Sequence, residues 1–176
     1  MAFVGPWGVF YHIPKCGGWS VRLWLEMEYQ DKGTEFHGRH DPPPPEDVCL
    51  GTSGPAFTIV RHPAYWLRSF YTYMNQHEWT WPECPAEIMA MFTPYKDLEW
   101  NDFVTAVTSQ QPGAVGKAFA LYTQPGVEVH RLRSAHYTLG LRVQSHITPG
   151  KPPLLTAQRT RIERAEVDML IKYNYL

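Results

Sequence analysis

The chain has 176 residues, 44% of them apolar and 19% charged, with a formal net charge of −1. That is room for one packed domain and short for two, and the near balance of 16 basic against 17 acidic residues excludes a global basic field for nucleic acid, so any anion site has to be local. Cys16, Cys49 and Cys84 give neither a disulfide framework nor zinc spacing, and no window reaches membrane-spanning length. The expectation is therefore a soluble, cytoplasmic protein with no membrane segment and no metal.

Trp7–Ile13 (WGVFYHI) is a short apolar run and reads as a buried strand. Pro14–Ser20 (PKCGGWS) is a turn, and from Ser20 to about Tyr29 the apolar spacing of Val21, Trp24 and Leu25 suits a helix. Asp31–Asp47, with the proline run Pro42–Pro45, reads as an extended loop. Ala56–Val60 is a second strand, and Pro63 fits the first turn of a helix running to about His77. Trp79–Pro85 is a break. Asp97–Gln110 is the clearest amphipathic helix, with Trp100, Phe103, Val104 and Val107 on one face. A helix over Ala114–Tyr122 follows, then a third strand over Val127–Leu132, a linker at Pro149–Pro153 and a closing helix over Thr156–Tyr173. Strands alternating with helices predict an α/β fold with a mostly parallel central sheet, in one compact domain over residues 1–176. Ligands of such sheets bind at the carboxyl ends of the strands, where the segments at Lys15 and Arg61 both fall.

The first of these segments carries the elements of a phosphate loop. Phosphate is held by backbone N–H groups at a helix N-terminus, and glycines let the backbone come close. Lys15-Cys16-Gly17-Gly18-Trp19-Ser20 supplies a cation, two glycines and a hydroxyl at a helix start. The lysine precedes the glycines, so this is not a Walker A loop, and a plain strand-to-helix turn with a solvated lysine has the same composition.

Tyr11-His12-Ile13-Pro14-Lys15-Cys16-Gly17-Gly18-Trp19-Ser20 resembles the 5′-phosphosulfate loop of the carbohydrate sulfotransferases, in which an apolar strand leads into Lys-[Thr/Ser/Cys]-Gly-Gly-Thr-[Ser/Thr]. Trp19 stands where that pattern has threonine. The second segment, Thr58-Ile59-Val60-Arg61-His62-Pro63 with Ser69 and Tyr71, resembles the same family's 3′-phosphate site: a strand, Arg-Asp-Pro, a serine eight residues after the arginine and a tyrosine two later. Here His62 replaces the aspartate and Trp66 the second arginine, with Arg68 two residues on. The likeness covers about the first 75 residues.

The resemblance implies a three-layer P-loop NTPase-like sulfotransferase fold with flanking helices. It implies 3′-phosphoadenosine 5′-phosphosulfate (PAPS) as donor, 3′-phosphoadenosine 5′-phosphate (PAP) as product, and a hydroxyl acceptor of the carbohydrate or small-molecule class. Lys15, Cys16, Gly17, Gly18, Trp19, Ser20, Arg61 and Ser69 would bind the nucleotide. Lys15 would also act in catalysis, with His40 and then His37 as candidate bases in the loop after the first helix; histidines in a polar loop are as readily plain solvated residues. No metal is implied.

Two other readings stand beside this one. Cys16 and Arg22 have the Cys-x5-Arg spacing of cysteine phosphatases, whose thiolate attacks phosphate at a helix N-terminus, although Pro14 and Lys15 intervene between strand and cysteine. Trp19, His62 and Trp66 motivate a non-enzymatic nucleotide-binding or interaction domain.

Overall fold

The structure, a computed structural model, describes residues 2–5, 8–28, 35–37, 54–131 and 150–176. Five strands form one sheet: β1 (Ala2–Gly5), β2 (Gly8–Tyr11), β3 (Glu35–His37), β4 (Ala56–Val60) and β5 (Val127–Arg131), in the order β3-β1-β2-β4-β5. β2, β4 and β5 pair in parallel, whereas β1 is antiparallel to both β2 and β3. Only β1 runs against the rest, so the chain is an α/β protein with a mostly parallel sheet. Seven α-helices lie among the described residues: α1 (Gly18–Glu28), α2 (Pro63–Gln76), α3 (Ala86–Phe92), α4 (Trp100–Gln110), α5 (Ala114–Ala120), α6 (Thr156–Ala165) and α7 (Val167–Lys172).

The chain divides into two compact units, residues 1–61 with 119–147 and residues 62–118 with 148–176. The first holds the sheet and α1. β2 and β4 are buried along their whole length, as interior parallel strands are when both faces are covered. That is why they read as unbroken apolar runs. Phe3, Phe10, Val21, Leu25, Phe57 and Ile59 form the core, with Phe10 between Phe3 (5.7 Å) and Phe57 (5.1 Å). The polar member of β4 is accommodated by a hydrogen bond: Thr58 Oγ1 donates to the Tyr11 carbonyl at 2.7 Å. Gly8 has φ 122, and a Cβ there would lie 2.1 Å from the Pro55 carbonyl oxygen, so no other residue fits between the two strands.

In the second unit α6 packs against α2 and α4. The aromatic face of α2 and α4 makes the core: Trp66 stacks on Phe70 (4.9 Å), and Tyr71 lies 4.8 Å from Phe103. Gln158 ties α6 in place, its Oε1 accepting from Trp100 Nε1 (3.2 Å) and from the Leu155 N–H (3.0 Å).

The closing helix expected over Thr156–Tyr173 is broken at Glu166 into α6 and α7. The break turns the Glu166 carboxylate onto the start of α5, where Oε1 and Oε2 accept from the Val115 and Gly116 N–H groups at 2.9 and 2.8 Å. The carbonyl of Ala165 takes the Gly113 N–H at 2.8 Å. A tertiary hydrogen-bond set, invisible to periodicity, thus overrides a continuous helical pattern. β1, β3 and α3 go beyond the elements the sequence predicts. β3 is three residues long and falls inside the expected loop Asp31–Asp47, the rest of which lies outside the described residues. Elements this short are held by pairing rather than by pattern.

Candidate functional site

The turn between β2 and α1 is built by local backbone chemistry. The Ile13 carbonyl accepts from the Cys16 N–H (3.2 Å), closing the turn, and the Gly17 carbonyl accepts from Ser20 (3.0 Å) and Val21 (3.2 Å), opening the helix. Gly17 has φ 85, the left-handed region that glycine enters without cost. Lys15 occupies the same region at φ 62, where a side chain costs about 1–2 kcal/mol. Strained non-glycine residues collect at functional turns, and something must hold them there.

One contact on Lys15 comes from Arg61. At the carboxyl end of β4, Arg61 donates from Nη1 to the Lys15 carbonyl at 3.3 Å, across 46 residues of sequence. The next residue, Cys16, is fully buried and also contacts Arg61. Burial pushes its thiol far up from the ordinary thiol range, while the Arg61 charge and the hydrogen bond from the Arg61 backbone pull it down by less. The two segments singled out in the sequence therefore meet, within the first unit, at the ends of adjacent parallel strands β2 and β4. One planar guanidinium thereby ties the loop backbone to the end of β4.

Gly18 has a different reason for being glycine than close approach to a ligand. A Cβ on it would sit 1.9 Å from His12 Nε2 and 2.0 Å from Cδ2. The bare face of the first helical turn is the seat of the His12 ring, which also stacks on Phe10 at 6.0 Å. His12 is thus a packing residue that fixes the loop's angle to β2. Among the described residues no backbone carbonyl takes the Gly17 or Gly18 N–H. These amides remain as donors at the positive end of an eleven-residue helix.

The other expected residues are distributed as follows. Trp19 is half exposed, with the Arg22 guanidinium 5.3 Å from its ring centroid. Ser20 is buried in the first turn of α1. Ser69 belongs to the second unit, in the second turn of α2, and is 2% exposed. Tyr71 is buried too, and its hydroxyl donates to the Leu98 carbonyl at 2.9 Å. His37 is the last residue of β3, paired with Ala2; His40 and Arg39 lie outside the described residues.

Both departures from the Arg-Asp-Pro pattern have structural causes. His62 does the capping work for which aspartate is suited: its Nδ1 accepts from the Ala64 N–H at 3.3 Å at the start of α2. Its Nε2 faces Glu163 Oε1 at 3.3 Å. Trp66 is fully buried in the aromatic core, so no anion contact arises there.

Cysteine phosphatase chemistry needs an accessible, low-pKa thiolate. Cys16 has the opposite setting, and Arg22 is turned to Trp19. Among the described residues there is no cluster of His, Cys, Asp and Glu able to hold a metal ion, and no helix is long and apolar enough to cross a membrane. No protein family, curated protein or solved structure matches this chain.

Proposed function

We propose that the chain is a sulfotransferase that moves the sulfuryl group of PAPS to a hydroxyl acceptor, a carbohydrate or small molecule. The observation that carries the reading is the hydrogen bond from Arg61 to the Lys15 carbonyl. Two segments that resemble two halves of one nucleotide site come together at the ends of adjacent parallel strands, where α/β proteins bind ligands.

Sulfuryl transfer, like phosphoryl transfer, has a loose transition state stabilised by positioning and positive charge. The bond from sulfur to the bridging phosphate oxygen breaks as the bond to the acceptor oxygen forms, and the acceptor proton passes to a base, His40 or His37 in this reading. The Gly17 and Gly18 amides and the α1 dipole hold the 5′-phosphate oxygens. Lys15 offsets the charge that grows on the departing oxygen, and Arg61 binds the 3′-phosphate. Glycines, amides, lysine and arginine are a donor set that fits a bisphosphorylated nucleotide.

The test is calorimetric titration with PAP, with 5′-AMP as the control, on the native chain and on Arg61→Ala. Binding that requires the 3′-phosphate and drops by about tenfold or more in R61A supports the assignment, since a charge-assisted pair contributes about 1.5–3 kcal/mol. Equal affinity for the two nucleotides, or equal losses for both in the variant, removes it. A nucleotide-binding domain without transferase activity is the second reading. Trp19, His62 and Trp66, which stand where the family pattern has other residues, motivate it. PAP binding with no turnover on any hydroxyl acceptor would select it.

A further inference from the structure

The helix that closes the second unit ends in a turn that folds the chain back on itself. Asn174 has φ 54, a left-handed conformation that asparagine tolerates better than most residues. Its N–H donates to the Ile171 carbonyl at 3.0 Å and the Tyr175 N–H to the Leu170 carbonyl at 2.8 Å, the bond pair of a Schellman cap. The turn brings Tyr175, half-buried, edge-on against the His62 ring at 5.4 Å and 82°. His62 is the cap of α2, so one imidazole touches both the start of α2 and a residue beyond the end of α7.

The contacts of that ring fix where its proton is. Nδ1 accepts from the Ala64 N–H at 3.3 Å, so it carries no hydrogen, and Nε2–H donates to Glu163 Oε1 at 3.3 Å. The same oxygen accepts from Arg159 Nε at 2.7 Å. Glu163 and Arg159, both on α6, are the charged groups that act on the ring, and Tyr65 and Tyr175 flank it with their own rings. A proton taken up from solvent has one place to go, the Nδ1 lone pair. It then meets the Ala64 N–H head-on, two donors with no acceptor between them. Glu163 meanwhile draws harder on the charged ring from the Nε2 side. The ring therefore turns about that contact and leaves the amide, and the edge contact of Tyr175, set by the angle of the ring, goes with it. Burial holds the ring's pKa below the ordinary histidine value, against the pull of Glu163. The packing thus selects neutral imidazole, and the arrangement stays closed until pH falls through that lowered value.

We propose that His62 is an acid-operated latch: while neutral it holds the segment Asn174–Leu176 against the start of α2, and on taking up a proton it releases that segment. The latch lies within the second unit and is independent of the nucleotide chemistry proposed for the Lys15 loop.

The test is a pH titration of the full-length chain by proton and nitrogen-15 NMR, from neutral to mildly acid solution. It follows the His62 ring protons, the cross-relaxation between the His62 and Tyr175 rings, and the exchange protection of the Tyr175 amide against that of Val107 in α4. The expected result is loss of the ring cross-peak and a fall in Tyr175 protection of up to about tenfold per pH unit, the slope of a one-proton event. Both begin where the His62 ring titrates, while Val107 stays protected. Glu163→Gln removes a group that raises the ring's pKa, so it moves both midpoints to lower pH. His62→Asn keeps an acceptor for Ala64 and has no proton to gain, so Tyr175 protection becomes independent of pH. Tyr175 protection that stays unchanged while His62 titrates overturns the proposal, as does a loss shared by Val107, which is global unfolding; neither result needs a variant. A loss with the same midpoint in His62→Asn also overturns it, by assigning the proton to another group.

Discussion

Replacing Gly18 by alanine puts a methyl group where the His12 ring already is. The added Cβ would stand 1.9 Å from Nε2, and ordinary contact begins near 3.4 Å, so the ring has to retreat by about 1.5 Å or α1 has to shift on β2. His12 cannot swing away freely, because its ring stacks on Phe10 in the core of the first unit. Forced overpacking of this kind costs about 1–3 kcal/mol. His12→Ala alone gives up the stacking and leaves a void, a loss of about 1 kcal/mol. If the clash is the whole cause, the double variant G18A/H12A has no ring to displace and recovers most of the Gly18→Ala penalty. The coupling energy across the four proteins should then be about 1–2 kcal/mol in favour of the double variant. Urea unfolding followed by far-ultraviolet circular dichroism, with amide exchange of α1 as a local readout, measures it. A neutral Gly18→Ala, or additive losses, would refute the claim that His12 seats on the bare helix turn.

Three further outcomes follow from particular contacts. Lys15→Gly removes the cost of a left-handed side chain at φ 62 and should stabilise the chain by up to about 1 kcal/mol; under the proposed function it should also eliminate sulfuryl transfer, and Lys15→Ala should lose transfer without the gain, as urea midpoints and a PAPS turnover assay would show. Burial pushes Glu166 up to about 7 against the opposing pull of the Val115 and Gly116 amides and Lys117. The folded carboxyl therefore holds its proton more tightly than the unfolded one. Its contribution is fully present below about pH 4.5 and is lost as pH rises through about 7, by no more than about 3 kcal/mol; a flatter stability-against-pH curve in Glu166→Gln is the check, and an unchanged curve counts against it. His62 moves the other way. Burial, ahead of the opposing pull of Glu163, lowers its pKa, so its contribution holds above the ordinary histidine value and is lost as pH falls through the lowered one, where Nδ1 can no longer accept from Ala64. His62→Asn keeps a cap and should remove that acid-side loss, while His62→Ala should cost about 1 kcal/mol at neutral pH.

Residues with unbroken apolar runs or a long amphipathic stripe could be placed from the chain alone. Ala56–Val60 is a strand with the expected ends, and the stripe of Trp100, Phe103, Val104 and Val107 lies buried on α4. Pro63 opens α2 as its fixed φ allows. These signals are local, because each element's own periodicity records which face is buried. β1 and β3 carry no such record, since four and three residues acquire strand geometry from their partners. The split of the last helix at Glu166 was equally hidden, because its cause is a pair of amides 50 residues away.

The site divides along the same line. A family resemblance, not residue types and spacing alone, singled out Lys15–Ser20 and Arg61 as a candidate site, and both lie in short contiguous segments that the chain displays directly. Only the tertiary structure could bring Arg61 onto the Lys15 carbonyl, bury Cys16 beyond the reach of nucleophilic chemistry, and assign the bare face of Gly18 to His12. It also turned His62 into a helix cap and left Arg68 with a buried donor unpaired. Strand register and helix packing set which distant groups share a low-dielectric space. Those distances, not the identities of the residues, decide which side chains are spent on the fold and which remain for a ligand.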